Sequence, residues 1–374
     1  MTAKMKLSFF CGFLIAAGVQ PACGSNAWPP LWKSYTDHFM DEQIRVIDRD
    51  VEDRTTSEAQ AYGLFFALVA NDRARFDRLL GWTERNLASG DLSRSLPAWL
   101  WGRGPDSQWG VLDPNSASDA DLWMAYTLIE AGHAWNDSRY TSLGGALANR
   151  IAAEEIVELP KFGAVLLPGA RGFQQVDAYR LNLSYLPLQV FLRLARIDPG
   201  GPWRKIADRI PALVKESAPH GFATDWLEFS PRDGFKPSEV GSYDAIRVYL
   251  WAGLLDPATP GRDAILKALS GMAARLRRNP VPPAKVSAIG EIADSNGPIG
   301  FSAAVLPYLA ALGETPLVDQ QMSRLRSAAD ATTGLYGTPA RYYDQNLALF
   351  ALGAMERRFW FDAGGALVTQ WHQR

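Results

Sequence analysis

Two kinds of helical stretch alternate along this chain, and the alternation constrains the fold more than any other feature. Apolar residues recur at helical spacing over 31–47, 57–70, 73–88, 118–134, 138–157, 184–197, 202–217, 242–254, 261–278, 300–312, 317–330 and 342–358. In 57–70, 118–134, 184–197, 242–254, 300–312 and 342–358, apolar and small residues run nearly all the way round. The others carry one apolar stripe and many Arg and Lys, as in Arg73 to Arg85, Trp203 to Lys215 and Arg262 to Arg278. A helix that is apolar on every side must be buried, whereas a striped one can sit outside it. Six inner and six outer helices in alternation predict an all-α fold, an (α/α)6 barrel. A superhelical stack of α-hairpins is the rival arrangement. Strand signals are few and short, as at Ala164 to Leu167.

The links 89–117, 158–183, 218–241 and 279–299 all lead into buried helices and are rich in Gly, Pro, Asp and Trp. In a barrel they gather at one end, where a cleft forms. No shift in composition divides the chain. A single domain is therefore expected over 28–374, and 374 residues at 47% hydrophobic are enough for a large core.

The first segment has the pattern of a secretory signal peptide, assigned to residues 1–27. Lys4 and Lys6 precede an apolar run, Leu7 to Val19, and then small residues, Ala22, Gly24 and Ala27. Cleavage is expected after Gly24 or Ala27; lipoprotein processing at Cys23 is the alternative, disfavoured by Gln20 where such signals prefer Leu. The run is short for a membrane span, and no later stretch is long and apolar enough to be one. A periplasmic or secreted protein follows. Cys11 and Cys23 both lie in or beside the signal, so no disulfide is expected in the mature chain. The formal charge of −2 shows no basic excess, so nucleic acid is not expected as a partner.

Three buried helices begin with acids. Thr56 and Ser57 form a capping cluster, followed at once by Glu58, with Tyr62 and Phe65 four and seven residues on along the same face. Ser118-Asp119-Ala120-Asp121 opens the second buried helix, and Ser242-Tyr243-Asp244-Ala245 places Asp244 in the first turn of the fourth. A helix-start acid is worth about 0.3–1 kcal/mol against the helix dipole. That account suits a surface helix, but an unpaired charge on an otherwise apolar helix is costly. In a barrel Glu58, Asp119 and Asp244 converge on one mouth. The chain also has 13 Trp, 12 Tyr and 17 Phe, which serve either as core or as flat surfaces for pyranose rings. Acids converging in an aromatic cleft are the equipment of glycoside hydrolysis. Arg247, three residues after Asp244 on the same face, either orients it or pairs with another acid.

At these motifs the sequence resembles glycoside hydrolase family 8. The family signature stands here as Ala117-Ser118-Asp119-Ala120-Asp121-Leu122-Trp123-Met124-Ala125, with Ala131 and Trp135 in step. Thr127 replaces the usual Ser or Ala, and Ala59 replaces the usual Gly after the first acid. The Thr-Ser-Glu and Tyr-Asp-Ala-x-Arg segments match as well, and the resemblance runs from about Trp28 to Trp360. Within the family the chain looks closest to periplasmic endoglucanases encoded with bacterial cellulose synthases. Trp32, Lys33 and Tyr35, and Arg341 to Asn346, fit that group.

The resemblance implies hydrolysis of β-1,4-glucan (cellulose and cello-oligosaccharides) with inversion and without a metal or cofactor. It implies Glu58 as general acid and Asp244 as general base. Asp119 would bind and help distort the sugar at the cleavage point, with Tyr243 and Arg247 positioning water and base. Asn182, Ser184 and Tyr185 match a cleft-lining Asn-x-Ser-Tyr segment; the alternative is a cap ahead of Pro187. Trp99, Trp101 and Trp109 either stack on sugar or plug their loop onto the core. Tyr342 and Tyr343 either contact sugar or pack in the core. His38, His133, His220 and His372 are scattered without metal-ligand spacing, and phosphate loops and serine-nucleophile elbows are absent. The same chemistry on chitosan, xylan or mixed-linkage glucan is the nearest alternative. A non-catalytic glucan-binding component of the cellulose export complex is the other, and contact with that complex is compatible with catalysis.

Overall fold

A computed structural model describes residues 26–372. The signal features from Lys4 to Gly24, with Cys11 and Cys23, lie outside the described residues. Among the described residues thirteen α-helices follow in order: α1 (Trp28–Phe39), α2 (Ser57–Val69), α3 (Arg73–Leu87), α4 (Ser118–Ala134), α5 (Ser138–Glu154), α6 (Leu188–Ile197), α7 (Trp203–Ser217), α8 (Ala245–Gly253), α9 (Arg262–Ala268), α10 (Ser270–Leu276), α11 (Ile299–Ala311), α12 (Thr315–Ala328) and α13 (Tyr342–Met355). The fold is an (α/α)6 barrel. Helices α2, α4, α6, α8, α11 and α13 are buried on nearly every face. The remaining helices bury one stripe each and form the outer layer. Among the described residues no helix is long and apolar enough to cross a membrane.

The departures from the helical pattern have local causes. The stretch 261–278 splits at Leu269, whose carbonyl accepts the Tyr308 hydroxyl at 2.8 Å. The stretch 184–197 begins as a 3-10 turn, Leu183–Tyr185, and becomes α6 only after Pro187. Proline has no N–H to continue the ladder. Helix α1 ends at Phe39 rather than 47, and Ile44 takes a left-handed φ of 62°. The links carry more β-structure than their sequences suggested. Among the described residues fourteen strands of two to five residues form five small sheets, all of them antiparallel pairings. Strands this short show no readable alternation.

The barrel axis is filled by aromatic rings from the inner helices. Trp123 of α4 has its ring centroid 5.1 Å from Phe65 of α2. Trp251 of α8 and Phe350 of α13 each lie 5.2 Å from it. All four are buried. These edge-on and tilted contacts fix how the inner helices face one another, and hence where their first turns point. Trp123→Ala is expected to destabilise the fold by about 3–5 kcal/mol. Chemical denaturation of the two proteins measures this, and a loss below about 1 kcal/mol would contradict the packing account.

Candidate active site

The first turns of α2, α4 and α8 meet at one mouth, and one guanidinium joins them. Arg247 Nη1 donates to Glu58 Oε2 at 2.6 Å and to Asp119 Oδ2 at 2.8 Å. Its Nη2 donates to Asp244 Oδ1 at 2.8 Å. The Tyr62 hydroxyl is 3.2 Å from Nη1, and the Tyr185 ring lies against the guanidinium at 5.4 Å. Arg247 is buried. A buried charge needs partners, and these three acids supply them. Orienting Asp244 and pairing with another acid, the two roles open to Arg247 from the sequence, are both present in these contacts.

Glu58 is free to face the cleft because another residue caps its helix, whereas Asp119 Oδ1 accepts the Ala120 N–H of its own first turn at 2.8 Å. The Thr56 hydroxyl accepts the Ala59 N–H at 3.2 Å, and Ser57 N–H donates to the Trp99 carbonyl at 3.0 Å. Thr55 and Thr56 pair with Trp101 and Leu100 as a short strand, which fixes the entry to α2. Glu58 then has Oε1 accepting from the Tyr342 hydroxyl at 2.7 Å. Burial pushes the Tyr342 hydroxyl well above its usual value, and the Glu58 charge adds to this, so it stays a donor. Asp244 is the N-cap residue of α8 and not a member of its first turn, because the helix starts at Ala245. Asp119 is the deepest of the three: its side chain is 4% exposed, against 19% for Glu58 and 28% for Asp244. Burial pushes Asp119 up to about 6, with the Glu58 charge adding to this and Arg247 opposing it.

The cleft encloses about 610 Å³. Trp99, Tyr185, Tyr243, Tyr342 and Tyr343 line it beside the acids. Tyr243 is 45% exposed, and its carbonyl accepts the Tyr343 hydroxyl at 2.6 Å. Two of the predicted contact residues are placed elsewhere. Trp101 follows Trp99 into the strand Leu100–Arg103 and turns to the outer helices. Its ring is 5.1 Å from Trp82 of α3 and stacks on Trp109 at 5.0 Å, with the Arg45 guanidinium 5.0 Å from both indoles of that stack. Asn182 is buried, and its Oδ1 accepts the Ser184 N–H and hydroxyl at 3.0 and 2.7 Å. It caps the 3-10 turn that holds Tyr185 against Arg247.

Asp48, Asp50, Val51, Arg54 and Pro339 also line the cleft and were not singled out from the sequence, and Arg341, noted there only for its fit to the family, lines it too. They belong to the links before α2 and α13, which are shorter than the four read as loops. The signal was present all the same: these links, too, lead into inner helices.

Behind Asp119 lies a second pair of acids. Asp121 is fully buried, and burial together with Glu155 holds its carboxyl well above the usual range. Glu155 accepts the Ser116 hydroxyl at 2.6 Å, and Ser116 in turn accepts the Ala170 N–H at 3.0 Å. Burial lifts Glu155 to about 8. The native pair therefore keeps protons that an unfolded chain releases near pH 4. Because the native state binds more protons, stability falls as pH rises from about 4 towards 8, by about 1.4 kcal/mol per pH unit per retained proton. Asp121→Asn puts a neutral amide donor beside Glu155 and is expected to flatten this slope. Denaturant midpoints between pH 5 and about 8 test it; parallel slopes for the two proteins would contradict it.

Carboxyl groups clustered on one cation in an aromatic cleft, at one end of an (α/α)6 barrel, define a glycoside hydrolase site. The chain matches the profile described as Glycosyl hydrolases family 8 over residues 1–357 and belongs to that family. It is 41% identical to an endoglucanase of Salmonella typhi over 365 residues, covering 96% of this chain and 95% of that protein. It is 42% identical to an endoglucanase of Xanthomonas axonopodis pv. citri over 369 residues, covering 98% and 95%. The crystal structure of endo-1,4-D-glucanase from Vibrio fischeri ES114 superposes with a TM-score of 0.84 at 39% identity, covering 92% of this chain and 99% of that one.

Proposed function

We propose that this enzyme is an inverting endo-β-1,4-glucanase that trims cellulose-like chains in the periplasm during cellulose synthesis or export. The observation that carries the reading is Arg247 joining Glu58, Asp119 and Asp244 in one aromatic cleft. Glu58 gives a proton to the glycosidic oxygen as the bond to the anomeric carbon breaks. Asp244 takes a proton from the water that attacks the opposite face of the sugar. The new bond forms opposite the old one, and solvent restores both carboxyls. Arg247 and Tyr243 hold the base and the water, and Asp119 binds and distorts the ring at the point of cleavage. Trp99, Tyr185, Tyr342 and Tyr343 offer rings and hydroxyls to the sugars on either side.

The periplasmic assignment rests on the signal peptide read at 1–27, with 28–374 as a single catalytic domain. Contact with the synthase or export machinery is part of the same proposal. Chromatography of products from carboxymethylcellulose, xylan, chitosan and mixed-linkage glucan tests the substrate. New reducing ends from carboxymethylcellulose, with a rapid fall in viscosity, are expected. Faster release from another polymer would overturn the substrate assignment, and binding without release would overturn catalysis.

A further inference from the structure

Asp244 occupies the N-cap position of α8 but makes no capping hydrogen bond. Its Oδ1 is turned to Arg247. A helix start left without an acceptor has unsatisfied N–H groups, yet these groups are satisfied. Asp225, nineteen positions upstream in sequence, accepts the Ser242 N–H at 2.7 Å and the Ala245 N–H at 2.9 Å on its Oδ1. We infer that Asp225 is a positioning residue for the reaction, a substitute cap that releases Asp244 into the cleft and holds the turn bearing it. The inference rests on the glucanase reading above, with Asp244 as the base.

The surroundings of Asp225 leave the turn little freedom. Asp225 N–H donates to the Val240 carbonyl at 3.0 Å, and Ser238 N–H to the Trp226 carbonyl at 2.8 Å. The Ser242 hydroxyl donates to the Ala284 carbonyl at 2.7 Å. At Gly241 an added Cβ would lie 2.0 Å from the Ala223 carbonyl oxygen, so the two strands of chain pass closer than any side chain permits. Segment 223–226 is thus a template on which 238–245 is laid, and Asp225 is its one carboxylate aimed at the helix start. The Thr56 hydroxyl does the same for α2 and leaves Glu58 free.

The second consequence is electrostatic. Burial lifts the Asp225 carboxyl above its ordinary value, the backbone N–H groups oppose this, and the Asp244 charge adds to the lift. The two carboxylates thus lie close together, one bound to the helix start and the other to Arg247.

The test compares wild type, Asp225→Asn and Asp225→Ala on cellopentaose, with kcat, KM, the pH profile of kcat/KM and thermal stability measured for each. Asp225→Asn keeps the acceptor oxygen and loses the charge. Its kcat and KM are expected to stay near wild type, because the turn is still held. Asp225→Ala loses the cap, and its kcat is expected to fall on the order of 10²-fold with KM little changed. An Asp225→Asn enzyme that loses as much kcat as Asp225→Ala overturns the inference, as does an Asp225→Ala enzyme with wild-type kcat. If Asp225→Ala fails to fold, Asp225→Glu, whose acceptor is displaced by one methylene, takes its place: a lowered kcat with KM unchanged is expected, and a wild-type kcat overturns the inference. An inactive wild type would instead remove the glucanase reading itself.

Discussion

Glu58→Gln is expected to lower kcat on cello-oligosaccharides by about 10²–10⁴-fold, the usual contribution of a positioned general acid. The substitution keeps the shape of the side chain. Gln has one acceptor oxygen where Glu58 has two, so it can keep the 2.7 Å contact with Tyr342 but gives up the ion pair with Arg247. The proton for the leaving oxygen is lost as well. A substrate whose leaving group needs no proton therefore distinguishes this role from a structural one. On an aryl β-cellobioside with a strongly acidic phenol, Glu58→Gln is expected to approach the wild-type rate. Equal losses on both substrates would show that Glu58 does something other than protonate the leaving group.

The second large effect is at Asp244. Asp244→Asn is expected to lower kcat by about 10²–10⁴-fold on both substrates, because water must be activated whatever group leaves. The amide oxygen can still accept from Arg247 Nη2, so the guanidinium keeps a partner at 2.8 Å. The α8 start is held by Asp225 rather than by Asp244, so no loss of cap is expected. Circular dichroism and the melting temperature should match wild type. A rate on either substrate within threefold of wild type, on the order of 0.6 kcal/mol in the barrier, would remove Asp244 from the base role.

The inner helices were legible because burial on every face leaves an unambiguous sequence: α11, for example, carries no charged residue. The acids were legible for the same reason. Glu58 and Asp119 stand out only because the helices behind them have no other charged residue nearby, apart from Asp121 beside Asp119. The three-way contact of Arg247 was not legible, since its partners come from α2 and α4, 189 and 128 residues away. The direction of Trp101 was hidden for a different reason. It sits two residues from Trp99 in the same Gly-rich link, and only the pairing of its strand with Thr55 and Val111 shows which way it faces. Asn182 could be read as a cap or as a cleft residue, and a 3-10 turn decides for the cap. Asp225 gives no local signal, because its function is to accept N–H groups from a turn brought to it by folding.

In the proposed reaction Glu58 and Asp244 act from opposite faces of one sugar, with a water between the base and the ring. Inversion requires that arrangement, with the two carboxyls roughly 6.5–9.5 Å apart. Proton NMR of cellopentaose hydrolysis, recorded before mutarotation equilibrates the products, reads the outcome directly. The prediction is that the α-anomer appears first and the β-anomer grows in later. First appearance of the β-anomer would contradict it.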